Sequence, residues 1–257
     1  MKRLFALFAA LVAAATLLTG LVPTGRAVAG PISLIDQETD CLELVPESVG
    51  VAGTTDDGAK IVVSVLVYLD GSLKERDGYN VFAPANRAYK PLNIELKPTY
   101  RKHAFNGTDV SVIFDQLKDL VGGKRPKGFD IVVALTRKDI EAAGIGRGVA
   151  GIADCIGGIR FDDRSFAISE AQKGDIGGVI LAHELGHILG AHHHYANCYE
   201  DGDTSDGIMV VTPVGPAPTG GQKSCTLMYP SAGPNKLLFG TLESLAVRGH
   251  ASDFARP

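Results

Sequence analysis

Two stretches of nearly continuous apolar, β-branched residues predict strands in the interior of a sheet. Residues 61–69 read IVVSVLVYL, and residues 130–135 read DIVVAL. Such runs are typical of strands that are covered on both faces. Shorter or weaker patterns predict three further strands, at 92–100, 149–155 and 165–169.

Apolar residues recur at helical spacing in two other stretches. In residues 110–121 they lie three or four positions apart, with Thr108 or Asp109 as the N-cap. A second helix is predicted from Asp175, as its N-cap, to Gly190, because glycine readily adopts the left-handed backbone that ends a helix. Helices interleaved with strands indicate an α/β fold for the N-terminal part of the chain.

The C-terminal part of the chain shows little periodicity. Residues 197–223 contain many Asp, Gly and Pro residues, which predicts a long loop. One more helical segment is predicted at 241–248. We therefore expect a mostly irregular tail that ends in a helix.

The N-terminus has the pattern of a secretory signal peptide. Lys2 and Arg3 precede the apolar residues 4–18, and Ala27-Val28-Ala29 offers the small residues at which signal peptidase cuts. We predict a signal peptide over residues 1–29, cleavage near Ala29 and a secreted protein. The apolar run is long for a signal core, so an uncleaved membrane anchor is the alternative.

Composition narrows the class of protein further. The chain has 257 residues, of which 45% are hydrophobic and 21% charged, so it can bury a core of normal size. Its formal net charge of −4 lacks the basic excess that a nucleic-acid-binding protein needs. We expect a monomer that binds neither nucleic acid nor, in its mature form, a membrane.

The cysteines form an even set of four: Cys41, Cys155, Cys198 and Cys225. An oxidising compartment allows such a set to form disulfides, and three pairings are open. We favour Cys198–Cys225, which closes the loop after the histidine cluster, and hence Cys41–Cys155. The alternative is that the Cys41 thiolate binds a metal ion as part of an inhibitory pro-segment.

The most informative stretch is residues 183–193, which read HELGHILGAHH. On a helix, His183 and His187 lie one turn apart and project from the same face, so both can bind one metal ion. Gly190 can turn the chain so that His193 supplies a third nitrogen. Three protein ligands leave one position for water, which distinguishes a catalytic zinc site from a structural one.

Glu184 lies beside the first of these ligands and can reach a water molecule on the metal without binding the metal itself. The alternative interpretation is a surface histidine cluster on a buried helix. However, five of the seven histidines lie between His183 and His194, a concentration that the composition does not predict. We therefore expect a catalytic zinc site.

These residues match the HExxHxxGxxH signature of the metzincin clan of zinc endopeptidases at every fixed position. Within the clan, the chain most resembles the adamalysin (reprolysin) group, over roughly residues 60–250. The resemblance implies that His183, His187 and His193 bind zinc and that Glu184 is the general base.

The resemblance also implies a fold and a division of the chain. It predicts an α/β fold of the zincin type: a twisted mixed sheet with an edge strand over the cleft, a central zinc-binding helix, and a small, mostly irregular C-terminal subdomain with a last helix. Residues 30–58 would form an N-terminal segment that could serve as a short pro-segment. Residues 59–257 would form the catalytic domain, with an upper subdomain at 59–193 and a lower one at 194–257.

Members of the clan have a methionine turn beneath the zinc, for which the chain offers two candidates. Met228 lies in Leu-Met-Tyr-Pro shortly after Cys225, whereas Met209 lies in a loop without turn residues, so we favour Met228. The chain departs from the adamalysin pattern in two places. His194 stands where aspartate usually follows the third ligand, and the stretch between His193 and Met228 is long. These departures leave the subgroup open.

Together, these features predict zinc-dependent hydrolysis of peptide bonds. Zinc lowers the pKa of its water from about 15.7 towards about 7, and Glu184 takes the proton as the water attacks. The substrate would be a peptide or protein that pairs with the edge strand at Gly151, Ile152 and Ala153.

Two other functions remain open from the sequence. In a zinc-capture protein Glu184 would be dispensable, and a catalytically silent interaction module would use the same fold without turnover. Calcium is a weaker expectation for a second metal. Asp201, Asp203 and Asp206 could bind it, but their spacing does not fit an EF-hand, and a solvated acidic loop is the alternative.

Overall fold

The computed structural model of the chain describes Cys41 and residues 56–143, 146–200, 223–230 and 237–256. These residues belong to one compact unit, Pro31–Pro257. The predicted signal peptide, Met209 and the three aspartates considered for calcium lie outside the described residues. Within this part of the chain, no helix is both long and apolar enough to cross a membrane.

The described residues form nine strands and four α-helices. In chain order the strands are β1 (Ile61–Asp70), β2 (Ile94–His103), β3 (Ile131–Thr136), β4 (Ile140–Ala142), β5 (Gly146–Val149), β6 (Gly151–Ala153), β7 (Phe166–Glu170), β8 (Cys198–Glu200) and β9 (Lys223–Cys225). The helices are α1 (Glu75–Tyr89), α2 (Val110–Asp119), α3 (Asp175–Ile188) and α4 (Thr241–Phe254).

Five strands build the main sheet, in the order β2-β1-β3-β7-β6. Strands β2, β1, β3 and β7 run parallel, and β6 pairs antiparallel with β7 at one edge. Strands β4 and β5 form a separate antiparallel pair, as do β8 and β9. This mixed sheet with an antiparallel edge strand agrees with the predicted fold class.

Side chains alternate across the central strands, which explains their continuous apolar sequences. In β1, Val65 and Val67 face a core shared with α1 and α3, whereas Leu66 and Tyr68 face a second core shared with α2. All four side chains are buried. A parallel strand between two helical layers needs apolar residues on both faces, and β1 and β3 supply them.

Helix α1 is the main difference from the sequence prediction, which assigns no element to its residues. Its buried stripe includes Val81, Phe82 and Tyr89, but Pro84 lies inside the helix and weakens the helical pattern. The Pro84 ring packs onto α3 at Gly178, where an added Cβ atom would come within 2.4 Å of it. This close approach brings α1 against α3.

The ends of the other helices follow local rules. The Asp109 carboxylate accepts a hydrogen bond of 2.8 Å from the Ser111 N–H and caps α2, as predicted. Helix α3 begins at Asp175, but Gly174 is the residue in the N-cap position. Helix α4 extends past the predicted end at residue 248 and continues through Gly249 to Phe254.

Helix α3 is buried on all sides from Gly177 to Ile188. A helix that is apolar all round belongs in the interior of a protein. The polar residues that α3 carries are therefore removed from bulk water, which sets the chemistry of the site.

Candidate metal centre

Helix α3 places His183 and His187 one turn apart on one face, as predicted. Their Nε2 atoms are 3.0 Å apart. The two residues are 0% and 5% exposed, so neither side chain is a surface histidine. The interpretation of the cluster as a solvated surface feature is therefore wrong.

The turn at Gly190 brings the third histidine to the same point. Gly190 has a φ of +87°, in the left-handed region that favours glycine. His193 then begins a short 3₁₀ turn, His193–Tyr195. Its Nε2 lies 3.0 Å from that of His183 and 3.1 Å from that of His187. We call these three residues the histidine triad.

The outer nitrogens of two triad residues fix the tautomers of their rings. Nδ1 of His183 lies 2.8 Å from the Leu227 carbonyl, and Nδ1 of His187 lies 2.8 Å from the Ala191 carbonyl. A carbonyl only accepts, so each Nδ1 carries the proton and donates. Each Nε2 then keeps its lone pair and points it into the triad.

This convergence fits a bound cation. Neutral Nε2 atoms at 3.0–3.1 Å cannot hydrogen-bond one another without a proton, whereas one zinc ion can lie about 2.0–2.1 Å from each. Burial and the neighbouring His193 lower the pKa of His183 to about 3, so that ring is neutral near pH 7. Within the described part of the chain, the triad is also the one group of His, Cys, Asp or Glu residues close enough together to hold a metal ion.

Glu184 lies next to the triad with one oxygen unpaired. The residue is 2% exposed, and its carboxylate accepts a hydrogen bond from the Ala153 N–H of β6. Its Oε1 has no hydrogen-bond partner. Burial raises the pKa of Glu184 well above its ordinary value. A buried, unpaired carboxylate oxygen is costly unless a ligand or water meets it, which is typical of a reactive site.

The edge strand β6 approaches Glu184 so closely that only glycine fits at its first position. A Cβ atom on Gly151 would come within 2.6–2.9 Å of the Glu184 carboxyl group. Gly151 and Ala153 thus line the carboxylate from the side of the sheet edge. Ile152 and Ala153 are partly accessible.

Met228 packs against the face of α3 that carries His183 and His187. The residue is 0% exposed and follows Leu227, whose carbonyl accepts the hydrogen bond from His183. The Met228 sulfur packs onto α3 at Gly186, where an added Cβ would come within 2.7 Å of it. Gly186 lies directly before His187, so this contact sits between the two helical members of the triad.

Both disulfides have the pairing favoured from the sequence. Cys41 is bonded to Cys155, directly after β6, and Cys198 is bonded to Cys225 across the β8–β9 pair. The structure therefore does not support the alternative in which the Cys41 thiolate binds a metal.

Three further residues around the triad have no role assigned from the sequence. His192 is buried, with 8% of its surface exposed, and its ring contacts those of His194 and Tyr195. His250 of α4 lies against Gly190, where an added Cβ would come within 2.4 Å of its ring. Glu243 of α4 is fully buried beneath Met228.

One signal for Glu243 is present in the sequence. A glutamate three residues into a helix often reaches back to cap the helix N-terminus, and Glu243 does accept from the Gly240 N–H. The contacts of Glu243 and His250 with distant segments of the chain produce no sequence pattern from which they could be predicted.

Comparison with known families places this site in context. Residues 84–194 match the metallopeptidase family M12B, reprolysin-like. The match ends at the triad and includes His183, Glu184, His187 and His193. Among curated proteins, none matches the sequence.

Solved structures resemble the chain in fold. Metalloproteinase-II from Bacteroides fragilis aligns with a TM-score of 0.51 and 18% identity, over 76% of this chain and 55% of that one. The chain thus spans about half the length of that protein. Archaemetzincin from Methanopyrus kandleri aligns with a TM-score of 0.44 and 15% identity, over 76% of this chain and 98% of that one. The first likeness confirms the predicted fold class.

Proposed function

Residues 84–194 match the reprolysin-like metallopeptidase family M12B, and from this match we propose that the protein is a secreted zinc-dependent endopeptidase of the metzincin type. The observation that carries the proposal is the histidine triad, whose lone pairs converge beside the unpaired oxygen of Glu184. A protein that only captured zinc would not need that buried carboxylate.

The triad would hold the zinc through the three Nε2 atoms, with Met228 as the methionine turn below. When bound, zinc supplies Lewis acidity and a water molecule of lowered pKa. The carbonyls of Leu227 and Ala191 keep His183 and His187 in the tautomer that binding requires. Calcium has no comparable support, because the aspartates considered for it lie outside the described residues.

Glu184 would act as the general base and then as the general acid. The Ala153 N–H holds the carboxylate, which leaves Oε1 to accept a proton from the attacking water. The same carboxylate then donates that proton to the leaving amine of the cleaved peptide bond. Its raised pKa favours a carboxylate that takes up a proton and later gives it back.

The substrate would be an extended peptide or protein segment bound along β6. Strand β6, with Gly151, Ile152 and Ala153, is the last strand at its edge of the main sheet, and Gly151 and Ala153 contact Glu184. Pairing of this kind relies on backbone hydrogen bonds and gives little sequence preference by itself.

Secretion is proposed from the signal-peptide pattern at residues 1–29, and the two disulfides are compatible with it. We also propose that the mature protein is a monomer.

Metal analysis of histidine variants tests this proposal. The purified protein should contain one zinc per chain and should cleave a denatured protein in a reaction that a chelator stops. His193→Ala should lose zinc and activity together. The neighbouring exposed residue provides the control, since His194→Ala should keep both. Stoichiometric zinc in His193→Ala, or its loss in His194→Ala alone, would contradict the assignment of the third ligand.

A further inference from the structure

A buried carboxylate on α4 lies beneath the histidine triad without touching it. Glu243 is 0% exposed and accepts three hydrogen bonds. The donors are the Thr226 hydroxyl at 2.6 Å, the Gly240 N–H at 2.6 Å and the Met228 N–H at 3.2 Å. The bond from Gly240 caps the residue's own helix, but the other two reach a separate segment of the chain.

The bonds to Thr226 and Met228 connect Glu243 with His183. Thr226 and Met228 flank Leu227, so Glu243 holds the residues on both sides of the carbonyl that accepts from His183 Nδ1. The Leu227 N–H is bound separately, by the Leu238 carbonyl at 2.9 Å. The Met228 N–H belongs to the same planar peptide unit as the Leu227 carbonyl, so its bond to Glu243 helps to set the direction of that carbonyl.

The Thr226 hydroxyl also connects Glu243 with the segment that follows His193. The Thr226 hydroxyl that donates to Glu243 also accepts from the Asn197 N–H at 2.9 Å. The Thr226 N–H in turn donates to the Asn197 carbonyl at 2.7 Å. Asn197 lies four residues after His193, just beyond the short 3₁₀ turn that presents its ring. One carboxylate thus links the segments behind two triad residues.

A role in stability alone does not explain this arrangement. Capping α4 requires only the bond to Gly240, and a buried carboxylate costs more than an apolar residue of similar volume unless its bonds are needed elsewhere. Apolar contacts such as Met228 against Gly186 already hold the segment against α3 but do not fix the direction of a carbonyl.

We propose that Glu243 is a positioning residue of the metal centre, which sets the Leu227 carbonyl for His183 and the Asn197 segment for His193. The proposal rests on the proposed function in that the triad binds zinc. It adds that metal affinity depends on a residue of the C-terminal helix that touches neither the metal nor its ligands. Residues that orient metal ligands typically contribute about 10–100-fold to metal affinity.

The test compares Glu243→Gln with a matched buried acid elsewhere. Gln keeps the shape of the side chain but has one acceptor oxygen instead of two, so it loses either the Gly240 bond or both the Thr226 and the Met228 bonds. Asp70→Asn is the control, because Asp70 is also buried and accepts from a threonine hydroxyl, that of Thr136, and from a backbone N–H, that of Phe105. Those partners lie outside the triad segments.

Two measurements on the full mature protein separate positioning from stability. The first is the rate at which bound Zn²⁺ passes to a chelator, and the second is the visible absorption of the Co²⁺-substituted protein, which reports ligand geometry. We expect Glu243→Gln to lose Zn²⁺ about 10-fold faster and to show an altered Co²⁺ spectrum. Asp70→Asn should match the wild type in both, even if it unfolds more easily.

A second pair of variants keeps the proposal testable if Glu243→Gln does not fold. Thr226→Val removes the shared hydroxyl at nearly constant shape and should also speed Zn²⁺ loss. Thr226→Ser keeps the hydroxyl and should lose Zn²⁺ at the rate of the wild type. Unchanged Zn²⁺ loss and Co²⁺ spectrum in Glu243→Gln or Thr226→Val would overturn the inference. A wild-type protein that binds neither metal would instead overturn the proposed function, so the two failures are distinguishable.

Discussion

The two halves of the metal centre are held by different forces. The helix half comprises α3 with His183 and His187, and it is enclosed by apolar side chains of both α1 and the sheet. The loop half comprises residues 190–200 and 223–230, which carry His193 and Met228. It is held by the Thr226–Asn197 hydrogen bonds, the Cys198–Cys225 disulfide and the Glu243 carboxylate.

This difference shows what each kind of contact can specify. Apolar burial holds a helix in place, and the helix itself then fixes the spacing of the two histidines. A loop has no internal repeat that could place a ring to within a few tenths of an ångström. Directional hydrogen bonds and a covalent link supply that precision for His193. Changes that separate the two kinds of support should therefore separate fold stability from metal binding.

The disulfides should show this separation with the largest effects. Cys41–Cys155 spans 114 residues and Cys198–Cys225 spans 27. In the chain-entropy model, removal by paired Cys→Ser substitution costs about 4–5 kcal/mol for the first and about 3–4 kcal/mol for the second. Zinc release should show the opposite order, with faster release from the Cys198→Ser/Cys225→Ser protein, because Cys198 and Cys225 adjoin Asn197 and Thr226. Urea unfolding and zinc release to a chelator would measure the two quantities.

We expect one disulfide variant to lose more stability and the other to release zinc faster. If the Cys41→Ser/Cys155→Ser protein released zinc as fast as the Cys198→Ser/Cys225→Ser protein, the loop half would have no special role in holding the metal.

Gly190, where the two halves meet, should give the next largest effect. Gly190→Ala places a side chain at a φ of +87°, which costs about 1–2 kcal/mol, and pushes it into the His250 ring, which adds about 1–3 kcal/mol. Gly128 offers a matched control, because it also has a φ of +87° but no atom within 4 Å of an added Cβ. Thermal and urea unfolding should show a larger loss for Gly190→Ala than for Gly128→Ala. Equal losses would mean that the His250 contact contributes nothing.

Glu243 should make the stability of the loop half depend on pH. Burial raises the pKa of Glu243 from its ordinary 4.5 to about 7, against the effect of its three donors. The folded protein therefore binds this proton more tightly than the unfolded chain. The stability that protonation supplies is complete below about pH 4.5 and is lost as the pH rises through about 7.

The corresponding measurement is urea unfolding of the metal-free protein across this range. The free energy of unfolding of the wild type, relative to that of Glu243→Gln, should fall by roughly 3 kcal/mol at most between pH 4.5 and pH 8. A difference that rises with pH would show that Glu243 is stabilised as the anion.

The sequence predicts the ligands and the disulfide of the metal centre but not the distant contacts that hold them, for physical reasons. The sequence predicts strands β1 and β3 because burial on both faces requires a nearly continuous run of apolar residues. The triad follows from helical spacing and from the glycine at residue 190. The sequence does not indicate helix α1, because Pro84 and polar residues interrupt the pattern of its buried stripe, whose partner Gly178 lies far along the chain. The sequence does not indicate the contacts of Glu243 with Thr226 and Met228, because the fold alone brings these segments together.

The central claim is that the triad binds zinc for catalysis and that Glu184 moves the proton, which turnover per bound zinc tests most directly. Glu184→Gln should keep zinc, because the proposed ligands are the three triad histidines and not Glu184, and because the amide fits the same space beside Gly151. It removes both the base and the acid of the reaction, so cleavage of a denatured protein per bound zinc should fall by at least about 10²–10⁴-fold. Equal turnover per zinc in the wild type and in Glu184→Gln would contradict this account.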